Sequence, residues 1–196
     1  MKYNYLFRSD ILNREEAFEL LKEYVKEDSL IKHSLAVESS MIAYAKYFDE
    51  DIEKWSISGL LHDIDFEMCP EEHPYKGIEI LRDKGIGEDI IHAIKGHGSK
   101  EEERNSLMAK TLYAIDELSS FVVASALVRP TKFEGLKPKS VKKKLKTKSF
   151  AAAVDRDQIK ESSQDLEMDF NEHLNIVIEG LKNREEELNK EGLSLL

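Results

Sequence analysis

Gly59-Leu60-Leu61-His62-Asp63 closes a run of helical periodicity that begins near Asp51, with Trp55, Ile57, Leu60 and Leu61 as its apolar positions. His62 and Asp63 are adjacent, so on a helix their side chains point about 100° apart. Such neighbours cannot share an apolar face. They can share a metal ion, because an ion about 2 Å from each ligand accepts an imidazole and a carboxylate from one helix end. Ser58 and Gly59 lie on the His62 side and leave room for another helix, or an ion with its water, to come close. Taken alone, the pair also fits a charge pair at a helix end. The surrounding chain separates the two readings.

Upstream, Asn13 and Glu16 have the spacing of a capping box. They open a helix with Ala17, Leu20, Leu21, Tyr24 and Val25 at helical spacing. A second helix is expected from Ser29 to Phe48, with Val37, Met41, Tyr44 and Phe48 on its apolar face and Glu38 and Lys46 on the other side. His33 falls on the apolar face, as a core histidine or as a ligand.

Downstream, Asp65 and Glu67 bring further carboxylates close to Asp63, and Pro70 and Pro74 interrupt helix formation. His73 precedes Pro74 in a loop, just ahead of a helix from Tyr75 to Lys84 anchored by Ile78 and Leu81. Gly85 and Gly87 punctuate before a helix from Glu88 to His97. Ile90, Ile91 and Ile94 mark its buried side. His97 shares that side, flanked by Gly96 and Gly98, while His92 projects nearly opposite. A charged loop over Lys100 to Asn105 leads to a long helix from Ser106 to Leu127, apolar almost all round, with Lys110 and Glu117 on its narrow polar stripe. Asp116 is off that stripe, aligned with Leu112, Ser119 and Val123. A carboxylate on a buried flank is costly unless it is paired or bound to a metal.

Arg129-Pro130 ends that helix. Thr131 to Lys148 then holds eight lysines and one glutamate, in a chain whose net charge is −10. Ser140 is expected to cap a short helix through Lys148. Phe170, Leu174, Val177, Ile178 and Leu181 mark a C-terminal amphipathic helix, and the acidic tail from Arg184 is expected to fray.

The 196 residues suffice for a substantial core, and 41% hydrophobic with 35% charged residues fits a globular chain. Helix formers dominate, and with 9 Gly and 4 Pro an all-β fold is not expected; the fold class is all-α. Cys69 is the only cysteine, which fits a reducing compartment. Met1-Lys2-Tyr3-Asn4 lacks an apolar signal core, and no apolar run approaches a membrane span, so a cytoplasmic protein without membrane contact is expected. The negative charge argues against general nucleic-acid binding. Residues 1–128 are read as a helical metal-binding domain, and 129–196 as a basic segment and C-terminal helix packed on it.

The inward polar residues are His33, His62, Asp63, His73, His97 and Asp116. Four histidines and two aspartates suit two divalent transition ions that share one carboxylate, with Mn, Fe, Co, Ni or Zn favoured over Mg or Ca. The fragments Lys32-His33-Ser34-Leu35-Ala36-Val37, Gly59-Leu60-Leu61-His62-Asp63 and Ala114-Ile115-Asp116 resemble the three core motifs of the HD superfamily of metal-dependent phosphohydrolases. His73-Pro74-Tyr75-Lys76-Gly77 and Ala93-Ile94-Lys95-Gly96-His97 resemble the extra histidine motifs of its two-metal branches. The likeness covers Ser29 to Ser125 and is similar to a small bacterial branch of predicted HD hydrolases. No Gly-Tyr-Pro follows His97, which departs from the branch that cleaves cyclic dinucleotides.

The resemblance implies an HD-type helical bundle and hydrolysis of a nucleotide or other small phosphate ester by a hydroxide held on one or two ions. It implies His33, His62, Asp63 and Asp116 as ligands of the first metal, with Asp63, His73 and His97 on the second. Asp65 or Glu67 would orient the water or pass a proton. Lys142, Lys143, Lys144 and Lys148, with Arg156, would neutralise phosphate charge. Two alternatives accompany this reading. Some relatives with the same ligand pattern are di-iron oxygenases that cleave C–C or C–P bonds. A non-catalytic module would instead use the lysine segment to contact RNA or a membrane surface.

Overall fold

A computed structural model describes residues 12–98 and 103–196. The first eleven residues, and part of the charged loop expected over Lys100 to Asn105, lie outside the described residues. Among the described residues there are nine α-helices and no strand: α1 Arg14–Tyr24, α2 Asp28–Phe48, α3 Ile52–Leu61, α4 Tyr75–Asp83, α5 Glu88–Gly98, α6 Leu107–Leu127, α7 Pro138–Leu145, α8 Arg156–Asp165 and α9 Phe170–Lys190. The fold is the expected all-α bundle. No described helix is long and apolar enough to cross a membrane.

Local signals set the helix starts. The Asn13 side chain accepts from the Glu16 N–H while Glu16 accepts from the Asn13 N–H, closing the capping box of α1. The side chains of Asp51, Ser106, Asp155 and Asp169 accept backbone N–H bonds at the starts of α3, α6, α8 and α9. The centre of the bundle is α2, packed against α3, α6 and α9, with α6 also packed on α5 and α8. Leu35, Val37, Tyr44, Leu60, Ile94, Leu112, Phe121 and Leu174 fill the space between them. Gly59 explains the closeness of α3 to α2. A Cβ there would lie 2.9 Å from the Glu38 Cα and backbone nitrogen, so a larger residue would push apart the two helices that carry His33 and His62.

Three sequence expectations are corrected and one helix is added. Glu38 does not face solvent: α1 and α3 cover that side of α2, and the fully buried carboxylate takes a two-pronged contact from Arg14, at 2.8 and 3.0 Å, and a bond from Ser56 at 2.7 Å. The C-terminal tail does not fray. α9 continues to Lys190, and Glu185 accepts from the Leu195 N–H and the Ser194 hydroxyl, which folds the end back and buries Leu188 and Leu195. Ser140 lies inside α7, which Pro138 opens at its first turn and which ends at Leu145, short of Lys148. Finally, α8 stands as a helix of its own along α6. Its sequence is so polar that Ile159 is its one buried apolar residue.

Candidate metal centre

Four helices and one turn carry the six residues to one place. His33 is in the second turn of α2, His62 caps the end of α3 with Asp63 next to it, and His97 is in the last turn of α5. Asp116 lies midway along α6, and His73 lies in the turn before α4.

The imidazoles converge on the carboxylates through their Nε2 atoms. His33 Nε2 is 3.4 Å from Asp63 Oδ2 and 3.1 Å from Asp116 Oδ1; His62 Nε2 is 3.3 and 3.4 Å from the same two atoms. On the other oxygen, His97 Nε2 and His73 Nε2 are 3.2 and 3.4 Å from Asp63 Oδ1. Asp63 therefore faces two groups at once, one through each oxygen.

The far side of each ring is also fixed. His62 Nδ1 donates to the Gly59 carbonyl at 2.8 Å, His97 Nδ1 to the Ile94 carbonyl at 2.6 Å, and His73 Nδ1 to Asp65 Oδ1 at 2.7 Å. His33 Nδ1 meets the Ser120 hydroxyl at 2.8 Å. A carbonyl or carboxylate can only accept, so the Nδ1 proton leaves the Nε2 lone pair of the neutral ring aimed inward.

This donor set fits divalent ions. An ion about 2.1 Å from each ligand separates neighbouring ligand atoms by about 3.0–3.4 Å in octahedral or tetrahedral arrangements. The N–O distances above fall in or beside that range. His33, His62 and Asp116 form one such group and His62, Asp63 and His97 another.

Electrostatics gives the same answer. Burial opposes charge on His33, but Asp116 and Asp63 outweigh it and push the imidazole up to about 9. Burial likewise opposes charge on His62, and Asp63 with Asp116 raises it well above the usual histidine range. Burial alone would raise Asp63 and Asp116; the imidazoles around them hold both carboxyls far below their ordinary value. The centre gathers negative charge and draws in protons to balance it, a role a cation fills equally well.

Above this floor opens a cavity of about 730 Å³. Phe66, Tyr113, Glu117, Asp155, Gln158 and Glu161 are among the residues of its walls, and no lysine or arginine is among its described lining residues.

The residues expected to act on water or substrate are placed differently from the sequence reading. Asp65 is fully buried behind His73, with its second oxygen accepting from the Gly77 N–H at 2.6 Å, so it does not face a reacting water. Glu67 points away from the cavity, where turns after Asp63 carry it to the start of α2. There it accepts from the backbone N–H groups of Lys26 and Glu27 at 2.7 and 3.0 Å.

The basic segment is turned outward. Lys142 binds Asn171, Lys144 sits 4.4 Å over the Phe150 ring, and neither Lys143 nor Lys148 lines the cavity. Arg156 spends its guanidinium on the carbonyls of Thr147, Phe150, Ala151 and Val154, where it shapes the turn that forms one wall. The sequence reading missed Ser120 and the Asp155–Glu161 wall. Ser120 had a signal, one turn beyond Asp116 on α6; the wall had none.

The HD-domain family model matches residues 30–120, the span that contains all six converging residues. Over that span the chain is similar to the HD domain. Within that span are two His/Asp groups that could hold a metal ion.

Ribonuclease Y of Nitratidesulfovibrio vulgaris is 34% identical over 94 residues, which are 46% of this chain and 18% of that protein. A tRNA (cytidine(56)-2'-O)-methyltransferase of Thermoplasma volcanium is 29% identical over 121 residues, 59% of this chain and 36% of that protein. The chain thus spans between about a fifth and a third of the length of these curated relatives. No solved structure matches it significantly.

Proposed function

We propose that this HD domain hydrolyses a small phosphate ester, a nucleotide or a smaller compound, in a reaction that depends on divalent transition metal. The observation that carries the reading is the convergence of four Nε2 atoms on two carboxylates at the floor of the cavity, with each Nδ1 held from behind. His33, His62 and Asp116 would hold one ion, His73 and His97 a second, and Asp63 would bridge them. When bound, such ions supply Lewis acidity and an ionised water at neutral pH.

The protein's own part is to fix these ligands on packed helices and to admit the ester through the cavity. With no lysine or arginine in the described lining, the phosphate charge is left to the ions. This favours a substrate with one phosphate group over a polyphosphate. That a ribonuclease is among the similar proteins supports chemistry on a phosphate ester.

The test is to strip the protein of metal, restore Mn, Fe(II), Co, Ni or Zn, and screen phosphomonoesters and phosphodiesters beside His62→Ala and Asp63→Ala. Metal-dependent phosphate release that both variants abolish is expected. Oxygen uptake by the iron form without phosphate release would replace this reading with the oxygenase one.

A further inference from the structure

The four imidazoles are held by unequal partners. Three have neutral groups on Nδ1: a carbonyl for His62, a carbonyl for His97 and a hydroxyl for His33. His73 alone among them has a carboxylate, Asp65. It is also the one histidine of the four that lies neither in a helix nor at the end of one, but in the turn before α4. A ring on a turn needs an external hold, and Asp65 is built to give it. Its carboxylate is fully buried, one oxygen on His73 and the other on the Gly77 N–H, in the first turn of α4. That N–H is one of those a helix start leaves open, and α4 has no side-chain cap from its own N-cap residue, Pro74. Gly77 lets the carboxylate approach, because a Cβ there would lie 3.0 Å from the Asp65 carboxyl carbon and from Oδ1.

We infer that Asp65 is a positioning residue for the second metal site, and that through His73 it sets the occupancy of that site independently of the first. The inference rests on the metal reading above. An anionic acceptor makes a stronger bond to Nδ1–H than a carbonyl does, locks the tautomer and makes Nε2 a better donor to a cation. The same carboxylate ties the ring to the start of α4, so loss of its charge or displacement of its backbone partner should loosen His73 alone. His33, His62 and Asp116 stand on other elements, and His33 and His62 keep their own Nδ1 partners.

The experiment is calorimetric titration of the metal-free protein with Co(II), with the visible absorption of the bound ion recorded. Wild type should take two ions. Asp65→Asn keeps an acceptor for His73 but loses the charge, and its amide group cannot accept from Gly77 while Oδ1 faces His73. Gly77→Ala displaces the carboxylate without altering it. Both should keep the first site at wild-type affinity, weaken the second by about ten- to a hundredfold, and change the absorption of the second ion only.

Wild-type affinity at both sites in the two variants would overturn the proposal, as would an equal loss at both sites in variants that melt normally. A single site in the wild type overturns it too. Uptake by wild type no greater than by His62→Ala would overturn the metal reading itself, a result distinct from the others. Should Asp65→Asn fail to fold, Gly77→Ala carries the test.

Discussion

On the floor of the cavity, His33, His62, His73 and His97 aim their Nε2 atoms at Asp63 and Asp116, so the inward groups have chiefly one another as partners. On the wall, three carboxylates each have work elsewhere. Asp155 caps α8, Asp157 pairs with Lys160 at 2.8 Å, and Glu117 accepts from the Asp155 N–H at 3.2 Å. Those three wall carboxylates are each held by a backbone N–H or a lysine away from the centre, whereas the floor needs added positive charge, either protons on its histidines or a cation. Acidic residues are equally visible in both places. What separates a binding centre from a solvated rim is whether the polar groups converge, with their other ends already anchored.

The largest expected effect breaks the floor. His62→Ala or Asp63→Ala should lower metal affinity by at least about a hundredfold, roughly 3 kcal/mol, and abolish turnover while circular dichroism stays near wild type. Metal retained at wild-type stoichiometry in either variant would remove these residues from the centre.

A second prediction sets the floor against another histidine. His173 is fully buried in α9 with its Nδ1 on the Tyr44 hydroxyl, and burial pushes it down to about 4. It folds neutral, so its contribution is present above the unfolded value near 6.5 and is lost as pH falls toward 4, by about 3 kcal/mol at most. His33 is pushed the opposite way, to about 9. Its contribution to the metal-free protein is full below about 6.5 and is lost as pH rises through about 9. Urea unfolding of the metal-free protein should therefore show greatest stability near pH 6.5. Added Mn or Zn should flatten the alkaline limb, and His173→Gln the acidic one. An alkaline limb indifferent to metal would contradict the charge balance assigned to the floor.

Arg156→Ala should act on the wall alone. It removes the donor shared by four backbone carbonyls, with an expected stability loss of about 1.5–3 kcal/mol in thermal or urea unfolding and unchanged metal content. Loss of bound metal in this variant would join wall and floor in a way the structure does not.

The smallest effects come from residues that touch neither. Lys143→Ala with Lys144→Ala should leave metal content unchanged and turnover within about twofold at low and high salt, as expected of surface charges outside the cavity. His92→Ala should likewise leave metal uptake intact, while His97→Ala loses the second ion.

The floor was largely legible in the sequence, because helical phase is a strong signal. It turned His97 inward and His92 away, and it set Asp116 off the polar stripe of α6. His73 owed its place to the family resemblance, since a turn has no phase to read. The role of Asp65 was hidden because it depends on α4 returning Gly77 to the carboxylate. The lysines were misread because the sign of a charge does not say which way it faces. Glu38 was misread because a helix packed on several sides has no solvent face there, and α8 was missed because a helix with one buried apolar residue has almost no pattern.

The most direct test of the centre is a crystal grown with Mn or Co, with anomalous scattering recorded at the metal edge. The account predicts two peaks between the Nε2 atoms, about 3.5–4 Å apart, one beside each oxygen of Asp63. An anomalous map with no peak among His33, His62, His73, His97 and Asp116 in a metal-loaded crystal would contradict it.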